Sequence, residues 1–244
     1  MEVAAKIQTD MLPQNFADYD GRPEFDLYAL MEPAKDVGGD FYDFYLLQGR
    51  YLVLTVADVS GKGVPAALFM AKSQSVLKNC MFQSTDPEDM AGVLAAANEE
   101  LCRNNEAAMF VTGFMGVLDL QTGQFTYADG GHCLPLLGRG GQYEFLPMRK
   151  GCVLGLMEMP YEQQKIALKP QDILFVYTDG VSEAMDESDV LFTEARIRDS
   201  LNSLAADQPV AALLKQMLAV VQQYAGVAEQ SDDITMLGLR YKGK

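Results

Sequence analysis

The fold is decided around residues 50–71, which read RYLVLTVADVSGKGVPAALFMA. Apolar and β-branched residues lead up to Asp58, a glycine-rich loop follows, and Pro65 then opens a run of alanine, leucine, phenylalanine and methionine. This order predicts a buried strand, a loop and a helix with proline in its first turn. Asp58 therefore stands at a strand end beside a flexible loop, where a rigid scaffold often presents functional groups.

Strand-like and helix-like segments continue on both sides of this stretch. Short turns connect most of the strands, which predicts antiparallel pairing. The helices come in separate pairs, which favours a helical layer on each outer face of two packed sheets. The predicted fold class is therefore α+β, a four-layer α-β-β-α sandwich with two packed antiparallel β-sheets. The predicted strands are FDLYALME, DFYDFYLL, RYLVLTVAD, MFVTGFMGVLDL, GQFTYAD, LPLLGR, QYEFLP, QKIALKP, DILFVYTDG and DDITMLGLRY, and the further helices span about 2–12, 85–101, 193–204 and 208–225.

The totals limit the classes of function. The 244 residues suit one large domain, and 19 basic against 34 acidic residues give a net charge of −15. An acidic chain repels phosphate backbones and anionic lipid, so we expect neither nucleic acid nor a membrane as a partner. Four cysteines without a CxxC pair indicate reduced thiols and a cytoplasmic location, and a single histidine excludes a zinc site built on several histidines.

Four aspartates share one context, because each stands where a predicted strand meets a loop. They are Asp40, Asp58, Asp179 and Asp232. Partly buried carboxylates at sheet ends would repel one another or bind protons, and a divalent cation resolves that conflict. Oxygen ligands suit Mg²⁺ or Mn²⁺, and two such ions about 3.5–4 Å apart would clamp a phosphate group.

Five blocks stand in this order along the chain: PAKDVGGDFYDF, VADVSGKGVPAALFMA, MFVTGFMGVLDLQTGQFTYADGGHCLPLL, ILFVYTDGVSEAMD and SDDITML. Together they resemble the SpoIIE/RsbU-type bacterial branch of the metal-dependent serine/threonine phosphatases, the type-2C or PPM superfamily. The resemblance covers nearly the whole chain. It implies the α-β-β-α sandwich with a binuclear manganese or magnesium centre at one end.

The resemblance also implies a set of metal ligands. Asp40 and Asp58, helped by the Val59 carbonyl, would ligate one metal ion. Asp58 would bridge to a second ion, which Asp179 and Asp232 also ligate. A hydroxide that bridges the two ions would then displace the serine or threonine oxygen from phosphorus.

Four neighbouring residues receive supporting roles by the same resemblance or by position. Asp233 would support the ligands without touching a metal. Lys35 occupies the spacing at which animal type-2C enzymes carry a phosphate-binding arginine, and the alternatives of phosphate ligand and solvated surface lysine stay open. The general acid is either Lys62 or a metal-bound water. Asp43 alternates off the Asp40 face by strand parity, so we interpret it as a structural or supporting carboxylate.

The implied activity is hydrolysis of phosphoserine or phosphothreonine in a phosphorylated protein. In this branch the usual substrate is a STAS-type anti-sigma-factor antagonist of a partner-switching pathway. The alternative is a catalytically silent regulatory or binding module of the same fold. Residues 1–13 are expected to form a linker or regulatory helix, followed by a phosphatase domain over 14–244. We expect that helix to mediate homodimerisation, with a sensor domain upstream of it in a longer protein.

Two further motifs suggest other enzymes. DVGGDFYDF, residues 36–44, is similar to the GGDEF stretch of diguanylate cyclases, but Phe41 stands where that motif needs an acid. Residues 132–139 match the HCx₅R formula of cysteine-dependent tyrosine phosphatases. That loop wraps phosphate with backbone N–H groups, whereas Pro135 has none and the leucines after it predict a strand. The aspartates therefore remain the candidate catalytic residues.

Overall fold

The computed structural model describes residues 2–16, 19 and 21–243. In chain order the elements are α1 (Glu2–Met11), β1 (Phe25–Glu32), β2 (Phe41–Leu47), β3 (Tyr51–Val59), α2 (Val64–Gln83), α3 (Met90–Cys102), β4 (Val111–Asp119), β5 (Gln124–Gly130), β6 (Leu136–Arg139), β7 (Gln142–Phe145), β8 (Gln163–Ala167), β9 (Ile173–Tyr177), α4 (Asp179–Ser182), α5 (Glu194–Ser203), α6 (Val210–Ala225) and β10 (Ile234–Tyr241). These elements fall into two compact units.

The first unit holds the chain up to Gln14, together with Lys35–His132 and Pro147–Leu168. Its five-stranded antiparallel sheet has the order β2-β3-β4-β5-β8. Short turns join β2 to β3 and β4 to β5, whereas α2 and α3 lie in the chain between the paired strands β3 and β4. Helices α2 and α3 lie against this sheet, and each buries an apolar face that includes Met70 in α2 and Leu94 in α3.

Helix α1 belongs to the first unit, and its apolar residues face outward. Val3 is 74% exposed and Ile7 is 59% exposed, whereas Gln8 is buried. The Gln8 side chain donates to the Gly38 carbonyl at 2.6 Å and accepts from the Gly38 N–H at 3.0 Å. The predicted helix is confirmed, but a polar side chain fixes it in place and the apolar stripe stays exposed.

The second unit holds the remaining described residues and a second five-stranded antiparallel sheet, in the order β1-β10-β9-β6-β7. The last strand of the chain thus lies inside the sheet, where Phe25 of β1 pairs with Tyr241 of β10. Gly238 of β10 lets α6 approach, since a Cβ there would lie 2.6 Å from Val210 and 2.7 Å from Leu214. Buried residues of α5 and α6 form one apolar core with this sheet.

The predicted α+β class, with two antiparallel sheets and helices in pairs, is confirmed. Several predicted boundaries were wrong, including the start of the last strand, which begins at Ile234 and not at Asp232. Helix α3 begins at Met90 rather than near residue 85, because the Asp89 side chain caps it by accepting from the Gly92 N–H at 2.9 Å. Strand β9 ends at Tyr177, so Asp179 opens α4 instead of closing the strand. Within the described residues, no helix has both the length and the apolar character that crossing a membrane requires.

Candidate active site

Asp40 and Asp58 lie in the first unit, at the open end of the β2–β3 hairpin. The register pairs Phe41 with Ala57, so the next position along the ladder sets Asp40 across from Asp58. Directly opposed residues of antiparallel strands share a face. Asp40 is buried, at 2% exposure, and Asp58 is half-buried. The hairpin therefore presents two neighbouring carboxylates that are partly withdrawn from water.

Gly39 brings the backbone before Asp40 against the Val59 carbonyl. A Cβ at Gly39 would lie 2.7 Å from the Val59 oxygen, so any other residue would push the two segments apart. The three predicted ligands of the first metal ion, Asp40, Asp58 and the Val59 carbonyl, are thus brought together by one hairpin and one glycine contact.

The loop after Asp58 is fixed at its start and leads directly into α2. The Ser60 N–H donates to the Phe110 carbonyl at 2.9 Å, and the Phe110 N–H donates to the Ser60 hydroxyl at 3.0 Å. Gly61 and Gly63 have φ of 85° and 72°, a region that glycine adopts without strain. Lys62, a candidate general acid, is exposed between them.

Asp179 and Asp232 lie in the second unit, where adjacent strands β9 and β10 bring their segments together. The Thr178 N–H donates to the Thr235 carbonyl at 3.1 Å, and the Thr235 N–H donates to the Thr178 hydroxyl at 3.0 Å. A Cβ at Gly180 would lie 2.0 Å from the Asp233 carbonyl oxygen. The first turn of α4 therefore sits directly on the Asp232–Asp233 backbone, a contact that sequence reasoning did not find.

Asp233 is engaged with the backbone of its own unit. It is buried, and its carboxylate accepts from the Ala34 N–H at 2.8 Å. Its own N–H donates to the Asp232 carboxylate at 2.9 Å. Gln230 holds the same segment by donating to the carbonyls of Glu32 and Asp232, both at 2.8 Å. These contacts hold the Asp232–Asp233 segment in place, and the supporting role of Asp233 stays a prediction.

Asp43 has a partner that the sequence did not reveal. Its carboxylate is 3% exposed and forms an ion pair with Lys78 of α2 at 3.0 Å. Burial raises the pKa of Asp43 above its ordinary value, and the neighbouring Lys78 opposes that rise. The spacing of an aspartate in a strand and a lysine in a later helix gives no local signal. Asp43 is therefore a structural carboxylate that ties α2 to β2.

Two candidates from the sequence remain, Lys35 and the segment that matches the cysteine-phosphatase formula. Lys35 is exposed in the loop between β1 and β2. In the segment that matches the cysteine-phosphatase formula, Leu136 to Arg139 form strand β6, and Arg139 donates to the Asp172 carboxylate at 2.9 Å. No helix follows this segment, because β6 turns into β7. The prediction of a strand hairpin in place of a phosphate loop is confirmed.

The donors at the four predicted positions fit a hard divalent cation, since they are carboxylates and one carbonyl. Each unit contributes two of the four aspartates. Among the residues that the structure describes, no group of three or more histidine, cysteine, aspartate or glutamate side chains is arranged to hold a metal ion. The assignment of all four aspartates as metal ligands stays a prediction.

Comparison with known proteins identifies the family. Residues 48–242 match the SpoIIE family, Stage II sporulation protein E. The phosphoserine phosphatase RsbU of Bacillus subtilis (strain 168) is 30% identical over 193 residues, which cover 78% of this chain and 56% of RsbU. The chain spans about half the length of the curated relatives that it matches.

Solved structures agree on the fold. The SiaA-PP2C domain of Pseudomonas aeruginosa superposes with a TM-score of 0.86 at 23% identity, over 98% of this chain and 95% of that chain. The catalytic domain of the serine/threonine protein phosphatase PstP, solved with two manganese ions, gives 0.64 at 14% identity, over 89% of this chain and 98% of that chain. With its family match and this fold, the chain belongs to the SpoIIE family and has the fold of PP2C phosphatase domains.

Proposed function

We propose that this chain removes phosphate from phosphoserine or phosphothreonine in a protein, with the help of divalent cations. The observation that carries the proposal is the arrangement of the four aspartates. Asp40 directly precedes β2, Asp58 lies near the end of β3, Asp179 opens α4 and Asp232 lies shortly before β10. Glycine contacts hold the backbone beside Asp40 and beside Asp179 in this SpoIIE-family domain. RsbU, which is named a phosphoserine phosphatase, supports the choice of substrate group.

The chain's own residues would act as ligands and as supports. Asp40, Asp58, Asp179 and Asp232 would hold two Mn²⁺ or Mg²⁺ ions together with the Val59 carbonyl. When bound, the ions supply positive charge for the phosphoryl group and lower the pKa of the attacking water. The manganese in PstP supports the choice of metal.

The exposed lysines would act at the edge of this site. We propose that Lys35 binds a phosphate oxygen of the substrate, and that either Lys62 or a water donates a proton to the leaving serine or threonine oxygen. A lysine side chain can bind phosphate through its ammonium group. Replacing Lys35 by methionine should raise KM more than it lowers kcat, whereas loss of a general acid should lower kcat.

The proposed substrate is a phosphorylated STAS-type antagonist of an anti-sigma factor, acting in a partner-switching pathway. A catalytically silent module of the same fold is the alternative. The two are separated by measuring Mn²⁺ binding and turnover on the same preparation. Metal that binds without hydrolysis of any phosphoprotein supports the silent module.

The decisive experiment is dephosphorylation of candidate STAS phosphoproteins with Mn²⁺, comparing the wild type with Asp179→Ala. Removing a metal ligand should reduce kcat/KM by about 10³-fold or more, on the scale of losing a main electrostatic stabiliser. Asp207→Ala, which removes an exposed aspartate elsewhere, should match the wild type. Activity that survives EDTA but is lost when Cys133 is alkylated would overturn the proposal in favour of a cysteine route.

We also propose that α1 mediates homodimerisation and regulation, with a sensor domain upstream. The support is an apolar groove between α1 and α2, flanked by Val3, Ile7, Val64 and Leu68, which are 74%, 59%, 47% and 69% exposed. A second copy of the same stripe would cover it. Leu68→Glu should shift the molecular mass in solution from dimer to monomer, as should deletion of residues 1–12. An unchanged mass for both variants would count against this interface.

A further inference from the structure

The second unit contains an apolar pocket that none of the proposed roles uses. Its volume is about 140 Å³, and its walls are formed by Ala184, Met185, Val221, Ala225 and Ile234. A cavity of about 150 Å³ lined by aliphatic groups holds a benzene-sized molecule. The pocket is therefore large enough for one leucine, methionine or phenylalanine side chain.

The pocket begins beside two of the candidate catalytic residues. Gly180 and Ser231 line one end of it, and they follow Asp179 and precede Asp232 in the chain. Both aspartates belong to the same unit as the pocket. A substrate side chain in the pocket would thus lie next to the segments that carry Asp179 and Asp232.

Met185, which lines the pocket, belongs to a segment, residues 185–191, that is held in place by hydrogen bonds. Met185 and Leu191 form an isolated antiparallel bridge, and the Asp186 carboxylate accepts from the N–H groups of Ser188 and Val190 at 2.8 and 3.0 Å. From α6, the Tyr224 hydroxyl contacts the carbonyls of Val190 and Leu191 at 3.1 and 3.3 Å. A preformed wall reduces the ordering cost of binding.

The rim of the pocket is acidic. Glu229 lines the pocket, and residues 180–195 contain five acidic residues and no lysine or arginine. The Glu187 carboxylate lies 3.2 Å from where a Cβ of Gly226, another lining residue, would stand. The first base after this stretch, Arg196, lies over the Tyr224 ring at 4.7 Å. An acidic rim attracts a basic segment and repels an acidic one.

We propose that this pocket docks one apolar side chain of the phosphoprotein substrate, in a segment whose neighbouring residues are basic. The inference rests on the proposed phosphatase function and adds a specificity site to it. The apolar walls select the side chain, and the acidic rim selects the charge around it. Phosphoserine in a segment without this pattern would still reach the metal ligands, but with weaker binding.

The kinetic test uses phosphoserine peptides in which one leucine is moved along an alanine and lysine background. One leucine position should lower KM by about tenfold, the scale of filling one apolar pocket. Ala225→Arg, which blocks the pocket, should remove that preference and leave hydrolysis of p-nitrophenyl phosphate unchanged. Val227→Arg is the matched control, because it adds the same charge two residues away on a side chain that is 87% exposed. If Ala225→Arg does not fold, Met185→Ala should weaken the preference.

A binding test separates docking from catalysis. In EDTA, the ¹³C-methyl NMR signal of Met185 should shift when the preferred peptide is added, and the signal of Met157, which is exposed in the first unit, should not. A wild type that hydrolyses p-nitrophenyl phosphate but shows no leucine preference and no Met185 shift overturns the docking site alone. Absence of all hydrolysis with a Met185 shift retained overturns the phosphatase function and leaves the docking site standing.

Discussion

The two halves of the molecule hold their candidate aspartates by different means. In the first unit, Asp40 and Asp58 adjoin the paired residues Phe41 and Ala57 at the open end of one hairpin. In the second unit, Asp179 opens α4 and Asp232 precedes β10, two segments that are distant in sequence, and the first turn of α4 is pressed against the Asp233 carbonyl. A site built on a local ladder tolerates a small displacement better than one built on a single tight contact.

Gly180→Ala should have the largest effect, because it disrupts that single contact. The new methyl would lie 2.0 Å from the Asp233 carbonyl oxygen and 2.9 Å from its carbon. We expect a loss of about 3 kcal/mol in the free energy of unfolding, at the upper end for overpacking. Mn²⁺ affinity should fall as well, since Asp232 moves with this backbone. Urea unfolding and isothermal titration with Mn²⁺ measure the two quantities.

If the contact at Gly180 were unimportant, Gly180→Ala would stabilise the protein instead of destabilising it. Gly180 lies in the short helix α4, and helix propensity alone would favour alanine by about 1 kcal/mol. Gly113→Ala is the control, because the nearest atom there would be the Ala57 Cβ at an ordinary 3.6 Å. If Gly180→Ala is as stable as Gly113→Ala, the contact between Gly180 and the Asp233 carbonyl does not hold Asp179 and Asp232 in place. The two units would then not differ in how they hold their aspartates.

Lys78→Met tests the buried carboxylate of the first unit. Removing one partner of a buried pair leaves an uncompensated charge, and Lys78 is 38% exposed, so we expect a loss of about 2 kcal/mol at pH 8. The cation–π contact of Lys78 with Tyr45, at 4.6 Å, is lost at every pH. Lys165→Met breaks a more exposed pair with Glu88 and should cost under about 1 kcal/mol.

The cost of Lys78→Met should depend on pH in a defined direction. Burial already raises the pKa of Asp43 in the folded protein, and losing Lys78 raises it further. The folded variant then binds a proton more readily than the unfolded chain, so its stability rises as pH falls through the folded pKa towards about 4. Unfolding free energies at pH 8 and pH 5 should show a smaller penalty at pH 5. An equal penalty at both would mean that Asp43 does not stay buried.

Gly39→Ala should have a smaller effect than Gly180→Ala. Its methyl would lie 2.7 Å from the Val59 carbonyl oxygen and 3.4 Å from the Val59 Cβ, a less severe clash than the 2.0 Å approach at Gly180. We expect a loss of about 1–2 kcal/mol in unfolding free energy and a rise in the Mn²⁺ dissociation constant. Gly113→Ala again serves as the control. If Gly39→Ala lost more unfolding free energy than Gly180→Ala, the first unit would be the more sensitive of the two to an added methyl group.

The sequence predicts the elements of both halves better than it predicts their contacts. Strands and helices follow from apolar periodicity, and the aspartates follow from the ordered blocks, since both signals are local. The Asp43–Lys78 pair and the Gly180 contact join residues from different elements, and no spacing rule encodes them. The start of α4 was missed for a related reason, because a one-turn helix is too short to show a helical period.

Thr193→Gly should have the smallest effect on the free energy of unfolding, and it should raise that free energy where the other substitutions lower it. Thr193 precedes α5 with φ of 74° and ψ of 153°, a region open essentially to glycine alone, and β-branching adds to the strain. Its N–H donates to the Ser182 carbonyl at 2.7 Å, so the backbone stays in this conformation after substitution. Relief of the backbone strain should stabilise the folded state, and the greater freedom of glycine in the unfolded chain offsets part of that gain. The net increase in the free energy of unfolding should be about 1 kcal/mol. Thr193→Ala keeps the Cβ and should gain little, so equal stability of the two variants would place the strain elsewhere.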